Sequence, residues 1–541
     1  MAGIHGGARK AVLTQAKDAS ELRLREFDTD GTQIGDEVRI ARAARGIVLS
    51  SEKGDLAPDE DLLSRFLDAI RKSELRVYDL LLPTDPQADD PSEQTLAEFA
   101  NALVAADGFG GLSDIPAAYS YLGQIVAHDI SHTRISASGK ASSLLPGSLN
   151  FDSLLRTEGA ARPPLPTGLL EVGTVALGQT LIDGNGPGGY DDLPRWPDGK
   201  PAIPDPRNDA MLNLSQLHVL MTKFIMAAEQ ALCALDAAAR RQVIVQHLQS
   251  VIYHDYLGRL LPPELLADIE THGRRLIATP GRGGTSWFYA PLEFSWGSFQ
   301  VGHSMIRENY APWGRSDVVS PPQSAFIRTL LNFTGNGNGL PSGRLPDNWR
   351  AEWQDMLGQR GGPVPVPAVR LSAQLRRDVY TLPGRLFDVV QGQQNPDYMN
   401  LALRTMTVAR RLRVPDGQAL AAFAAAQGVA VPMLSPADLA DGLPTAARAA
   451  FERQQRGRVS LAERTPLWFY SLREAERLGC GTRFGPLAGR IVGETLHAAI
   501  AASESGFLDA DGRPVFGESG RLPAHQPGRF DLYDLRAMAG A

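Results

Sequence analysis

The chain reads as mainly α, on three observations. Apolar residues recur three and four apart over long stretches, as in "EQTLAEFANALVAA" and "IPAAYSYLGQIVAHDISHT", the spacing that lays one apolar stripe along a helix. Strand-like alternation is weak and rare. Composition, 43% hydrophobic and 21% charged over 541 residues, is that of an ordered globular chain long enough to bury a large core.

Taken in order, residues 1–75 read as an N-terminal arm. "ELRLREFDTDGTQIGDEVRI" alternates weakly around Asp30-Gly31 and predicts a small hairpin. "DEDLLSRFLDAIRKSEL", residues 59–75, predicts an amphipathic helix. Residues 76–505 carry the strong helical signal and form the expected catalytic domain; 506–541 read as a C-terminal tail. Within the domain, residues 134–210 are rich in Gly, Pro and Asp, and a loop region of that length is usually functional or ordered by a ligand. Helical patterning resumes at 211–235, 236–261 and 291–310. It breaks at "GGPVPVPAVRL" and returns at 399–413, 416–428, 465–479 and 487–501.

Net charge is −7 with both signs interspersed, which gives no basic footprint for nucleic acid or anionic lipid. The cysteines are Cys233 and Cys480, too few for a disulfide framework. Cys233 lies in an apolar run and is expected to be buried; Cys480 lies in a turn-like segment. No secretory signal is legible at the start of the chain. No stretch of about 18 apolar residues predicts a membrane span. A cytoplasmic protein is the expectation.

The stretch "YLGQIVAHDISHT" concentrates the chemistry. On a helix Gln124, His128 and His132 share one face, and Asp129 is turned about 100° away. Three readings of His128 stand side by side. It is a packed or surface histidine; or it pairs with His132 as His-x-x-x-His metal ligands, although a zinc protease would need Glu where Asp129 stands and a third ligand; or it lines a haem pocket. Peroxide cleavage needs a base that takes a proton from one oxygen and returns it to the other, which imidazole suits. It also wants a fixed cation and a protein ligand on the far side of the iron. Arg207, just before a long helix, and His303, between small Gly302 and Ser304, are the candidates for those two tasks.

With these residues assembled, the chain resembles the peroxidase–cyclooxygenase superfamily, the animal-type haem peroxidases, and especially their bacterial members. "GQIVAHD" is similar to the family's distal helix, "PRNDAMLNLSQLHVLMTKF" to its distal-arginine segment and "EFSWGSFQVGHSMIRENY" to its proximal helix. "LRTMTVARRLRVPDGQALA" and "TPLWFYSLREAERLGCGTRFGPLAGRIVGETL" are similar to two C-terminal segments, in the family's order. The likeness runs from about residue 75 to 505.

The resemblance implies an animal haem peroxidase-like helical fold with long loops and little strand. It implies His128 as distal acid–base residue with Gln124 beside it, Arg207 as distal arginine and His303 as axial ligand of haem iron. It gives His132 and His218 no chemical role. A family calcium site implies Asp129 as a ligand, with Asn150 and Asp152 as further oxygen donors. Family carboxylates that tether haem covalently are replaced by Ala127 and Ala210, so the expected cofactor is non-covalent haem b. The family's Asn partner of the proximal histidine corresponds to Thr405, and an arginine for a haem propionate to Val408; Arg404, Arg410 and Arg411 are substitutes. The radical-forming Tyr of cyclooxygenases and fatty-acid dioxygenases corresponds to Gln300, against a cyclooxygenase-like mechanism. The leading expectation is a peroxidase that reduces hydrogen peroxide and oxidises an organic donor or a halide. The alternatives are a haem enzyme for a specialised oxidative or rearrangement step in secondary metabolism, and a catalytically degenerate scaffold.

Overall fold

The computed structural model describes residues 10–15, 21–27, 38–43, 46–51, 54–55, 81–82, 89–131, 133–135, 141–143, 147–155, 192–195, 199–277, 290–314, 323–335, 345, 347–382, 399–503, 505–509, 511–515 and 522–541. The helix expected at 59–75 and His132 lie outside them. The described chain is mainly helical.

Five strands form an antiparallel sheet in the order β1 (Lys10–Gln15), β2 (Glu21–Phe27), β3 (Val38–Ala43), β4 (Gly46–Ser51), β5 (Gly54–Asp55). The expected hairpin exists as β2–β3, with Leu22 opposite Ile40 and Leu24 opposite Val38. It is the middle of a sheet rather than a free pair, which is the more stable arrangement because an isolated hairpin is marginal in water.

The helical body begins with α1 (Glu93–Ala105), started by Ser92, whose side chain accepts from the Thr95 N–H. A serine cap of this kind contributes about 1 kcal/mol. A short strand, β6 (Leu112–Pro116), pairs with β7 (Pro367–Val369) and leads straight into α2 (Ala118–Ile130), the helix of the opening motif. Two long helices follow: α3 (Leu212–Ala231), which lies against α2, and α4 (Ala237–Ser250). The chain continues through one π-helical stretch, Val251–Tyr256, before α5 (Pro263–His272). Such a stretch widens the helix by one residue and re-aims the side chains beyond it. Here it brings the Tyr256 hydroxyl against Gly123 of α2, so closely that a Cβ on that glycine would clash with it.

Further helices include α6 (Leu401–Arg411), α7 (Leu467–Leu478) and α8 (Pro486–Ala501), each within two residues of its sequence expectation. Every residue of α8 from Leu487 to Ile500 is buried, which makes it the central helix. Its charged residues are therefore paired: Glu494 accepts from the N–H groups of Arg275, Leu276 and Ile277, and Arg490 donates to Asp268. Its first turn is capped by the buried carboxylate of Glu474, which accepts from Leu487 N–H at 2.8 Å and Ala488 N–H at 2.9 Å.

Three expectations need revision. Residues 291–310 do not form one helix but a turn, Leu292–Ser295, and a 3₁₀ segment, Ser298–Met305. The break is at Gly297, where a Cβ would stand 2.5 Å from the Glu293 carbonyl oxygen. Cys233 is exposed, because α3 ends before it. Part of the tail is core: Phe530, Leu532 and Leu535 are fully buried, and the last helix, α9 (Leu532–Met538), packs on α3.

Candidate active site

Helix α2 is buried along most of its length, yet Gln124, Ala127 and His128 keep part of their surface open. Their spacing of three and one places them on one face. The His128 ring is held at Nδ1 by Asn208 Oδ1, 2.8 Å away. Asn208 is itself fully buried and donates from Nδ2 to the Ser153 carbonyl at 3.2 Å.

Asn208 belongs to the 3₁₀ turn Pro206–Asp209. With three residues per turn, neighbours on it point about 120° apart, and each side chain goes to a different place. The Arg207 guanidinium faces the end of α2: Nη2 donates to the His128 carbonyl at 2.6 Å and Nη1 to the Ser131 carbonyl at 2.9 Å. Its Nε and Nη2 also reach Asp205, whose carboxyl the guanidinium holds well below the usual carboxylate range despite burial. Asp209 accepts from Arg195, Ser215 Oγ and Gly335 N–H in the core. Arg207 is thus within reach of His128, but through its backbone.

His303 sits on the 3₁₀ segment, which packs against α2. Its Nδ1 donates to the Gln300 carbonyl at 3.1 Å, and among the described residues Nε2 has no protein partner. Protein surrounds the ring, yet part of the residue's surface stays open. A Cβ on neighbouring Gly302 would meet nothing within 4 Å. Burial pushes the imidazole down to about 4, and the nearby Arg404 charge acts in the same sense. A neutral imidazole with Nδ1–H fixed and Nε2 turned to open space is what an axial metal ligand requires.

Of the other expected haem contacts, Arg404 is beside His303. Arg410 donates instead to the Pro91 carbonyl at the start of α1. Thr405 and Val408 are buried in α6, whereas Arg404 is half-open.

The loop expected to hold calcium does adjoin Asp129, but its donors have other partners. Asp129 accepts from Phe151 N–H at 2.7 Å with one oxygen and from Ser153 N–H at 2.8 Å with the other. Asp152 pairs with Arg241 at 2.6 Å, and Asn150 Oδ1 accepts from Ser503 Oγ. Calcium needs six to eight oxygens turned inward, so this donor set does not fit it. Burial and the Asp152 charge push the Asp129 carboxyl up, against its two amide donors.

No family model matches the chain, and no curated protein does. Solved structures do. The fatty acid alpha-dioxygenase of Oryza sativa matches with a TM-score of 0.51 at 14% identity, over 77% of this chain and 74% of that one. The fatty acid alpha-dioxygenase of Arabidopsis thaliana matches with a TM-score of 0.51 at 12% identity, over 83% and 74%. The chain has the peroxidase–cyclooxygenase fold. On it the chain places one histidine on α2 and another on Ser298–Met305. Sequence reasoning missed Asn208. Its only signal was a polar residue next to Arg207 on a tight turn, where successive side chains must diverge.

Proposed function

We propose that the protein is a haem-dependent oxidoreductase that reduces hydrogen peroxide and oxidises an organic donor or a halide. The observation that carries this reading is His303: a partly buried neutral imidazole, oriented by a carbonyl, with Nε2 facing open space beside a glycine. Bound haem b would supply the iron at which the peroxide O–O bond is cleaved. His303 would hold that iron through Nε2. His128 takes the proton from one peroxide oxygen and returns it to the other, both at Nε2. Gln124 shares its face. Arg404 offers a cation near His303. The binding is non-covalent, since Ala127 and Ala210 carry no carboxylate and Asp209 is engaged by Arg195 and Ser215.

Purified protein mixed with haem should develop a Soret band, and His128→Ala should slow its reaction with peroxide by about 10²- to 10⁴-fold. A folded protein that stays colourless refutes the proposal and leaves the scaffold reading. A specialised oxidation is the second reading. It is favoured by the neutral carbonyl at His303 Nδ1, which makes the imidazole a weaker electron donor than a charged partner would. It predicts haem loading with poor turnover of ordinary chromogenic donors.

A further inference from the structure

We infer that Asn208 is the positioning residue that sets the tautomer of His128, supported by the loop 150–153 in place of a metal ion. The inference rests on His128 as the acid–base group of the proposed reaction. An amide presents one acceptor and one donor end, which can be told apart only by their partners. The Asn208 NH₂ end donates to the Ser153 carbonyl at 3.2 Å, so Oδ1 is the end that meets His128 Nδ1 at 2.8 Å. An acceptor there requires a proton on Nδ1. In the neutral ring the lone pair then belongs to Nε2, the nitrogen on the side of the ring away from the Asn208 contact.

The support for Asn208 closes a ring of contacts. Ser153, whose carbonyl orients the amide, is fixed through its own N–H to Asp129 Oδ1 at 2.8 Å. Phe151 N–H occupies Oδ2 of the same carboxylate. Asp129 is covalently next to His128. The path therefore runs from the His128 ring to Asn208, to Ser153, to Asp129 and back to the His128 backbone, and the adjacent Arg207 grips the His128 carbonyl. All three supporting residues, Asn208, Ser153 and Asp129, are buried, where an unmade hydrogen bond costs about 1–3 kcal/mol. That cost resists rotation of the amide. Any substitution that removes the acceptor frees the ring to carry its proton on either nitrogen.

The test needs no haem. Nitrogen-15 NMR of histidine-labelled apoprotein should show His128 with its proton on Nδ1. Asn208→Leu should move proton population to Nε2. Asn208→Asp should keep Nδ1–H and raise the imidazole pKa by at least half a unit. A proton on Nε2 in the wild type overturns the inference. So does an unchanged tautomer in folded Asn208→Leu. If that variant does not fold, an unshifted pKa in Asn208→Asp overturns it alone. In haem-loaded protein Asn208→Leu should slow the peroxide step about 10- to 100-fold, the range for a partner that orients a site residue, with the acid limb of the pH profile displaced. Failure of haem loading with Nδ1–H intact would sink the proposed function and leave the role of Asn208 standing.

Discussion

The Arg207 guanidinium donates to the carbonyl oxygen of His128 at 2.6 Å and pairs with Asp205 at the same distance. The end of α2 exposes unpaired carbonyls and partial negative charge, and Arg207 is the cation that answers both. Arg207→Ala should lower stability by about 2 kcal/mol, in the range for hydrogen bonds to a charged group. It should broaden the His128 resonances, and Arg207→Lys should recover only part of both effects, since an ammonium lacks the planar fork. Unchanged thermal stability, with loss confined to the peroxide reaction, would assign Arg207 to the pocket instead.

His303→Ala should abolish the Soret band of haem-loaded protein while leaving the helical circular dichroism of the apoprotein. Free imidazole added to the variant should restore part of the band, because the open volume beside Gly302 and the lost ring can admit it. Haem taken up equally by the variant and the wild type would exclude His303 as the ligand.

Five histidines, His218, His247 and His497 buried and His254 and His303 partly so, are each held down to about 4, chiefly by burial. Unfolded, each titrates near 6.5. Between these values the unfolded chain binds protons that the folded one refuses, so stability is full above about pH 6.5 and falls toward pH 4. Each histidine adds up to about 1.4 kcal/mol per pH unit to that slope. Buried Glu474 and Asp129, both pushed up to about 7, act in the opposite sense over the same window, but the imidazoles outnumber them. The thermal midpoint of the apoprotein should therefore drop steeply from pH 6.5 to 4.5, and His218→Gln should reduce proton uptake on unfolding by about one. A midpoint flat across that range contradicts the account.

How far the sequence speaks is visible in α2 and its partners. A period of three and four located α6, α7 and α8 to within two residues and α2 and α3 to within four, because burial of a stripe dictates that period. The same period placed Gln124 and His128 on one face and Asp129 on another, as observed. Spacing carries no information on which partner a long side chain takes. Arg207 and Arg410 reach five or more bonds from the backbone, and both donate to backbone carbonyls. Asp129 was legible as a polar residue of special task, but spacing could not show that two backbone amides are its partners. The five-stranded sheet was missed beyond β2–β3 because its strands are short and weakly alternating.

Gly123 and Tyr256 offer a last test, of how the two halves of the site are held apart. Glycine inside a helix ordinarily loses about 0.5–1 kcal/mol against alanine, so Gly123→Ala would stabilise α2 on its own. The Tyr256 hydroxyl stands where that methyl would go, and the Tyr256 ring lies 6.4 Å from Phe299 of the 3₁₀ segment. The clash cannot be relieved by a flexible chain end, because a buried phenol moves only as a rigid ring. Overpacking of this kind costs about 1–3 kcal/mol, which exceeds the helix gain, so the single variant should be destabilised. Its added volume would push α2 away from the 3₁₀ segment and weaken haem retention. In Tyr256→Phe the nearest atom is gone, and Gly123→Ala in that background should cost less or become stabilising. A double-mutant cycle by thermal unfolding reads the difference. Additive effects would mean that Tyr256 does not set the spacing between the helix of His128 and the segment of His303.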